Sequence, residues 1–314
     1  MNRWPAPTRF AVAAIVWLAF CGEPAVCAAV GEAPVAVLSS SGVAAYREAG
    51  EGFRAAMGPG AATVEWFELE GANTASVLDA VRSAGPRVVV AMGSRATEAA
   101  AGLGIPVVST MVLDDGGEEG AATKGSGRVL TRISLDVPAS VVLARTKELL
   151  PGRRRLAVIL SRARSKLDLP EIQNQAGALG YSTRFIPCEG PKEMLDALQG
   201  LRGQVDLVWC LPDRALYSPA SITALILASI RNRLLLIGFS EGFVKAGAPV
   251  GFYASYREIG VQTAEAVRRF QEGRPPREKE APRTIKTAVN ERVLRLLGIE
   301  LRAPRGAGEV VFVK

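Results

Sequence analysis

The sequence contains no histidine, and this absence excludes several kinds of chemistry at once. Ser-His-Asp and Cys-His catalysis use an imidazole as the general base, and many zinc sites need an imidazole ligand. The predicted strands are also not followed by the glycine spacings of dinucleotide-binding or phosphate-binding loops. The sequence therefore favours a binding protein. An α/β enzyme that uses carboxylates such as Asp213 and Glu241 for acid/base work remains the alternative.

Cysteine is scarce as well, with four residues in the chain. Cys21 and Cys27 lie in the N-terminal segment, which leaves Cys188 and Cys210 in the body of the protein. We expect one strand of a parallel sheet to lie between these two, which separates them by about 9.6 Å, or two strand spacings. That distance is beyond the reach of a disulfide, so the sequence predicts two buried, unbridged thiols.

Charge of one sign is not concentrated in any long segment. The formal net charge is +7, and the tightest basic run is 153–155. Nucleic-acid binding would need a basic helix or a basic patch interleaved with aromatic residues, and the sequence contains neither. We therefore interpret the basic residues as a solvated surface and expect no nucleic-acid partner.

Residues 1–28 have the pattern of an export signal. Arg3 and Arg9 precede an apolar stretch at 10–20, and these 11 residues are too few to span a bilayer. The small residues at 26–28 predict cleavage after Ala28 and release into the periplasm. A lipid anchor at Cys21 and a retained N-terminal anchor are the alternatives.

The rest of the chain repeats a strand–helix pattern twice, which predicts an α/β fold of two doubly wound parallel-sheet lobes with a hinge. We expect crossings between the lobes near 134–137, 251–253 and 278–287. The predicted divisions are a signal peptide at 1–28, a first lobe at 29–135 plus 252–280, a second lobe at 136–251 plus 281–301, and a loose tail at 302–314.

One stretch of the second half also resembles a known family, the ABC transporter substrate-binding proteins. The resemblance is carried by Leu-Pro-Asp at 211–213, by Ile-Gly-Phe-Ser-Glu-Gly-Phe-Val-Lys-Ala-Gly-Ala at 237–248, and by Tyr253-x-x-Tyr256. It covers roughly residues 34–300. The resemblance implies a type I periplasmic-binding fold, a small-molecule ligand, which is an aromatic amino acid in some members, and a membrane permease as partner.

The sequence departs from the family at two places near the expected cleft. Asp115, in the glycine-rich stretch 114–128, replaces a proline, so the shape of this cleft wall does not follow from the resemblance. Arg162 and Arg164 replace small polar residues. If either arginine points into the cleft, it favours a ligand with a carboxylate; the alternative is that both face solvent.

Polar residues at strand ends give the candidate ligand site, because open α/β sheets bind ligands at the carboxyl ends of their strands. Hydroxyl groups before a helix can donate to an anionic ligand group, although Ser41 could instead simply cap its helix. In the family, the Gly-Ser turn at 93–94 faces the cleft. The candidate contacts from strand ends and resemblance together are Ser39, Ser40, Ser41, Gly93, Ser94, Thr110, Ser161, Asp213, Phe239, Ser240, Glu241 and Tyr253.

These expectations combine into one mechanism, in which a ligand binds between the lobes and stabilises their closed arrangement. An amino-acid-like ligand would place its carboxylate near the serine hydroxyls and its amine near Asp213 or Glu241. For Glu241 the alternative is that it holds its own loop through Lys245. We expect a monomer without cofactor that serves an ABC importer; a sensory protein coupled to another receptor is the second possibility.

Overall fold

The computed structural model describes residues 34–58, 63–113, 128–162, 167–275, 277–301 and 310–313. The export signal predicted at 1–28, Asp115 and Arg164 lie outside these residues. In the described chain the strands are β1 Val35–Ser39, β2 Val64–Glu68, β3 Val88–Met92, β4 Val107–Val112, β5 Val129–Ser134, β6 Arg155–Ser161, β7 Ser182–Cys188, β8 Leu207–Cys210, β9 Leu235–Gly238, β10 Val250–Ala254, β11 Lys279–Glu280, β12 Ile285–Asn290 and β13 Val310–Val313.

The helices alternate with these strands, as the sequence predicts for parallel sheets. In the described residues they are α1 Ala44–Met57, α2 Thr74–Ser83, α3 Ser94–Ala101, α4 Ala139–Leu149, α5 Leu169–Ala178, α6 Pro191–Gly200, α7 Pro219–Arg231, α8 Glu241–Lys245, α9 Tyr256–Gln271 and α10 Glu291–Leu297.

The first lobe is built on a sheet with the strand order β11-β5-β4-β3-β1-β2. Its strand pairs are all parallel. The central strand Val88–Met92 is buried at every residue, because helices cover both faces of the sheet and a continuous apolar run suits that environment. Apolar cores lie on the two faces, one around Phe53 and one around Leu38.

The second lobe is built on a sheet with the order β13-β12-β10-β9-β8-β6-β7. Its pairs are parallel except for β10 with β12, which run antiparallel. One core lies under α6, α7 and α8, and the other lies under α4 and α5. The predicted α/β class with two parallel-sheet lobes is therefore confirmed.

The second crossing between the sheets lies later than the sequence indicated. We expected it near 251–253, but β10 stays in the second sheet to its last residue, where Ala254 pairs with Ile285. All residues of Val250–Ala254 are buried, so this apolar strand is held between two neighbours before the chain leaves for α9. The lobe boundaries as units of motion stay a prediction.

The last described strand corrects a second expectation. We expected 302–314 to be a loose tail, but Val310–Val313 forms the edge strand β13 parallel to β12. Its sequence Val-Val-Phe-Val has high β propensity, and the unpaired edge of β12 offers it backbone hydrogen-bonding groups.

The helix that follows the second crossing, α9, packs tightly against α1 of the first lobe. A Cβ on Gly260 would collide with the carbonyl oxygen of Ala49 and lie 2.7 Å from the backbone nitrogen of Phe53. A Cβ on Gly52 would collide with the carbonyl oxygen of Arg257 in the same way. Glycine at both positions therefore lets the two helix backbones touch.

The two cysteines of the second lobe lie as the strand order predicted. Strand β6 lies between β7, which ends at Cys188, and β8, which ends at Cys210. Both thiols are free and buried. Burial raises the pKa of Cys188 to about 11 and that of Cys210 to about 12.

Candidate functional site

Ser40 connects two strand ends of the first lobe. Its Oγ accepts a hydrogen bond from the backbone N–H of Ala96 at 2.9 Å, in the first turn of α3. Gly93 occupies the N-cap position of this helix, and Ser40 supplies the capping oxygen from the loop after the neighbouring strand. Gly93 has φ +92°, and a Cβ there would collide with the hydroxyl of Tyr46. Glycine is therefore needed for this turn.

The loop around Ser40 is held by local hydrogen bonds. Ser39 Oγ donates to the carbonyl oxygen of Ser41 at 2.7 Å, within the loop. The backbone N–H of Gly42 donates to Glu70 Oε2 at 2.9 Å, and Arg47 donates to the carbonyl of Gly42. Ser41 does not cap α1, whose N-cap is Val43 without a side-chain hydrogen bond.

Tyr46 joins this cluster from the first turn of α1. Burial raises the pKa of Tyr46, and the guanidinium of Arg214 and a hydrogen bond with Ser40 act in the opposite direction. Arg214 follows β8 in the second lobe, so its charge reaches a first-lobe hydroxyl across the cleft between the sheets. Ser40, Tyr46 and Arg214 together offer hydroxyl and guanidinium donors to an anionic group.

Asp213 is tied to the backbone of its own lobe. Its Oδ2 accepts from the N–H of Ser161 at 3.2 Å, and its Oδ1 accepts from the N–H of Ala215 at 2.9 Å. The carboxylate therefore joins the end of β6 to the loop that follows β8. Ser161 Oγ is buried and has no hydrogen-bond partner among the described residues.

Glu241 lies in the first turn of the short helix α8, where Ser240 accepts from the N–H of Phe243 at 3.1 Å as the N-cap. The Glu241 carboxylate lies 2.5 Å from Lys245 Nζ, the partner that the alternative interpretation named. Glu241 also acts on the first lobe. Burial raises the pKa of Tyr256 at the start of α9, and the charges of Glu48 and Glu241 raise it further.

Two candidates lie inside the protein rather than at a strand end. Strand β4 continues past an irregularity at Met111, which has φ +57°, to Val112. Thr110 is consequently inside the strand, fully buried, and accepts a hydrogen bond from Thr263 Oγ1 at 2.9 Å. Tyr253 is buried in β10, with its ring 6.3 Å from that of Tyr256.

Phe239 takes part in an aromatic cluster below α7 and α8. Its ring centroid lies 5.1 Å from that of Tyr217 and 4.9 Å from that of Phe243. Tyr217 stands beside Cys210, and burial raises the pKa of its hydroxyl well above the usual value. This cluster packs against the core of the second lobe.

Arg162, which we considered as a cleft residue, pairs within the second lobe. Its Nε lies 3.3 Å from Glu189 Oε1, and its guanidinium lies 3.9 Å from Glu193 Oε1. Its side chain is 59% exposed. The arginine of this lobe that acts across the cleft is Arg214, which the sequence gave no reason to select because it sits in an irregular loop.

The structure thus brings Ser40, Gly93 and Tyr46 together in the first lobe, with Arg214 acting on them from the second. The charge of Glu241 in the second lobe also acts on Tyr256 of the first lobe, whose pKa it helps to raise. Sequence reasoning missed Tyr46 because it lies on the apolar stripe of α1, and the helix-start position of Tyr46 beside the serine loop was the signal that could have found it. The sequence analysis identified Tyr256 only as part of the family motif Tyr253-x-x-Tyr256.

The two parallel sheets joined by crossings, with charged groups facing across the cleft, define a two-lobed α/β binding protein. The family of ABC transporter substrate binding proteins matches residues 63–303, and the chain belongs to this family. Its members are substrate-binding proteins rather than enzymes, and they typically act outside the cytoplasm. In the part of the chain that the structure describes, no helix has the length and apolar content needed to cross a bilayer.

Solved structures with low sequence identity share the fold. A ligand-free, open substrate binding protein with adhesive properties from Clostridium difficile has 18% identity and a TM-score of 0.71, over 90% of this chain and 100% of that one. A domain from Streptococcus pneumonia in complex with L-Trp has 17% identity and a TM-score of 0.60, over 89% and 100%.

A periplasmic ribose ABC transporter protein from Conexibacter woesei has 15% identity and a TM-score of 0.54, over 86% of this chain and 96% of that one. These likenesses support the type I periplasmic-binding fold expected from the sequence. No curated protein sequence matches the chain.

Proposed function

We propose that this protein is the exported solute-binding component of an ABC importer and captures a small amino-acid-like molecule between its lobes. The family supports binding of a small molecule and a permease partner. The observation that carries the choice of ligand is the convergence of Ser40 Oγ and the Tyr46 hydroxyl at Gly93, before the start of α3. The charge of Arg214, which acts to lower the pKa of Tyr46, supports the same choice. A guanidinium, a phenol and the start of α3 form an environment that stabilises a carboxylate.

The opposite end of the ligand would lie near Glu241 and Tyr256. Glu241 stands 2.5 Å from Lys245 and also acts on Tyr256 of the first lobe. A ligand ammonium group that enters between Glu241 and Tyr256 gains both the carboxylate and a phenol ring. Carboxylate and ammonium groups at the two ends are the chemistry of an amino acid.

Binding of the ligand would change the angle between the two lobes. One ligand can contact both Arg214 and Glu241 in the second lobe and Ser40 and Tyr46 in the first only when the lobes approach each other. The ligand therefore stabilises the closed arrangement through contacts that the open arrangement lacks. The permease then recognises the closed form. The protein acts as a monomer in the periplasm and needs no cofactor for this cycle.

The experiment that tests this proposal is a thermal-shift screen of the protein against amino acids, the matching amines without a carboxylate, the matching carboxylic acids without an amine, sugars and nucleosides. A true ligand at a hundred times its dissociation constant stabilises the fold by about 2.7 kcal/mol. We expect stabilisation by one or more amino acids and little from their amine or acid fragments. Stabilisation only by sugars or nucleosides would contradict the proposal.

A matched pair of variants then tests the carboxylate contact. Arg214→Gln removes the charge in the cleft, and Arg202→Gln removes an exposed charge after α6 in the same lobe. We expect Arg214→Gln to weaken amino-acid binding by about 10-fold to 150-fold, the equivalent of a charge-assisted hydrogen bond of about 1.5–3 kcal/mol. Arg202→Gln should leave the affinity unchanged. Equal affinities of the two variants would show that Arg214 does not contact the ligand.

A further inference from the structure

An open basin of about 480 Å³ lies on the first lobe, between the second half of α9 and the segment around β11. Its lining consists of two glutamates and five arginines, which are Arg268, Arg269, Arg274, Arg277 and Arg283. None of the residues assigned to the solute above lines it. This arginine basin is therefore separate from the cleft between the lobes.

Three of these arginines converge on one carboxylate, that of Glu280 at the end of β11, whose side chain is only 5% exposed. Arg269 pairs with Oε1 of this carboxylate. Arg283 and Arg277 approach Oε2, at 3.1 Å and 3.9 Å. Three guanidinium groups carry more charge than one carboxylate can neutralise, so positive charge remains around Glu280.

The basin stays positive when its other acids are counted. The five arginines stand against three carboxylates, those of Glu265, Glu272 and Glu280, so the formal charge is +2. Arg283 lies 2.5 Å from Glu265, and Arg274 pairs with Glu272, so both acids are already occupied. The carbonyl end of α9 adds about half a negative charge, which does not cancel the excess. The basin therefore favours an anion with more than one charge.

The segment that carries the exposed arginines is held at its backbone. Thr131 Oγ1 of β5 donates to the carbonyl oxygen of Arg277, and Gln262 Oε1 of α9 accepts from the N–H of Arg283 at 3.0 Å. The side chains of Arg274, Arg277 and Arg283 are nevertheless 45% to 65% exposed. Because the backbone is fixed and the guanidinium groups are accessible, an anion can bind without first ordering this segment, which lowers the entropic cost of binding.

We propose that the arginine basin is a second binding site, which takes an anion that carries a phosphate or pyrophosphate group. The planar guanidinium group presents paired N–H donors that match phosphate oxygens, and a multivalent anion balances the excess charge. No aromatic residue lines the basin, so recognition rests on the charged group. The phosphate can belong to a free small molecule or to an anionic lipid headgroup. This site does not depend on the identity of the solute in the cleft.

The test uses inorganic pyrophosphate as the probe, titrated into the full chain by calorimetry at low ionic strength, with acetate as the monovalent comparison. We expect saturable binding of pyrophosphate that weakens as NaCl is added, and about 10-fold weaker binding of acetate. Absence of saturable pyrophosphate binding, or equal binding of acetate, would overturn the proposal. Flotation with phosphatidylglycerol vesicles then separates the sources: vesicle binding that pyrophosphate displaces assigns a lipid headgroup, and pyrophosphate binding without vesicle binding assigns a free phosphate compound.

A pair of arginine variants decides where pyrophosphate binds. Arg277→Gln removes an exposed charge of the basin and should weaken pyrophosphate binding about 5-fold. The control Arg295→Gln removes an exposed arginine on α10, which lies 3.7 Å from Glu291 and is not part of the basin, and it should leave the affinity unchanged. Equal weakening in both variants would mean that pyrophosphate responds only to the net charge of the protein, and it would overturn the proposal.

A variant that should bind more tightly gives an independent check. Glu272→Gln removes the acid that pairs with Arg274, and it should strengthen pyrophosphate binding about 5-fold. Glu291→Gln is its control, because Glu291 has a similar exposure, 53% against 52% for Glu272, and lies outside the basin. Arginines that only stabilise the fold would give no such gain, so an unchanged affinity of Glu272→Gln would contradict the site. If Arg277→Gln does not fold, Glu272→Gln still decides the outcome.

Discussion

Replacing Glu241 by glutamine tests the proposed amine contact, because the change keeps the size of the side chain and removes its charge. In the ligand-free protein Glu241 pairs with Lys245 at 2.5 Å, and the two side chains are 36% and 61% exposed. An exposed pair of this spacing on a helix contributes about 0.3–0.5 kcal/mol. An acid in the first turn of a helix contributes a similar amount. Stability without ligand should therefore fall by about 1 kcal/mol at most.

The expected effect on binding is larger. A ligand ammonium that pairs with Glu241 makes a charge-assisted hydrogen bond of about 1.5–3 kcal/mol. Its loss would raise the dissociation constant about 10-fold to 150-fold. The substitution should also lower the pKa of Tyr256, because the charge of Glu241 helps to raise it. That shift is visible in a tyrosinate absorbance titration without any ligand.

Calorimetric titration with the amino acid found by the thermal-shift screen measures the affinity, and urea unfolding measures the stability. Glu291→Gln is the matched control, since Glu291 is a first-turn acid that lies 3.7 Å from Arg295 one helical turn later. We expect the control to lose a similar small amount of stability and no affinity. Loss of stability in Glu241→Gln with unchanged affinity would show that Glu241 only holds its own helix.

Three further predictions concern the fold. Native protein should show two free thiols that resist labelling at pH 8 and react after unfolding, because burial raises the pKa of Cys188 to about 11 and of Cys210 to about 12; an intact mass lower by two hydrogens would contradict this. Gly260→Ala should destabilise the fold by about 1–3 kcal/mol through overpacking against α1. Its control Gly177→Ala, in a helix with open space around the residue, should stabilise the fold by about 0.5–1 kcal/mol. Equal unfolding midpoints of the two variants would refute the close contact between α1 and α9. Hydrogen bonds from Arg155 lower the pKa of Asp206 to about 2, so the contribution of Asp206 to folding stability is complete above pH ~4 and is lost as the pH falls toward 2. Asp206→Asn should therefore lose about 1–2 kcal/mol of stability at pH 7 and almost nothing at pH 2 in urea unfolding. A loss that does not depend on pH would contradict the ionic origin.

The architecture was predictable because its signals are local. Runs such as Val88–Met92 are apolar at every position, and a run of that kind flanked by amphipathic helices indicates a parallel strand. The order of three strands in the second lobe also followed, which placed Cys188 and Cys210 on either side of β6.

The elements that sequence reasoning missed depend on distant partners. Val310–Val313 becomes a strand because β12 offers an edge, and nothing in the preceding residues indicates that neighbour. β4 continues to Val112 through a residue with positive φ, which local propensity disfavours. In each case tertiary context overrides the local pattern.

The positions of the candidate residues were predictable in outline, but their contacts were not. Strand-end reasoning placed Ser40 after β1 and Glu241 after β9, because strand ends are fixed by the alternation of elements. It could not find that Ser40 caps a helix 56 residues away, or that Arg214 acts on Tyr46. Those contacts are set by the angle between elements, and one sequence carries no direct signal for that angle.

The contact between α1 and α9 has a consequence for the order of folding. Glu51 and Arg257, which pair at 2.7 Å, are separated by 206 positions, and the strands β6 to β10 of the second sheet lie between them in the chain. The first lobe therefore cannot be completed during synthesis until most of the second has emerged. Contacts of such long range slow folding, because a large loop must close before they form. Slow folding of a chain with this topology would be compatible with the export proposed above.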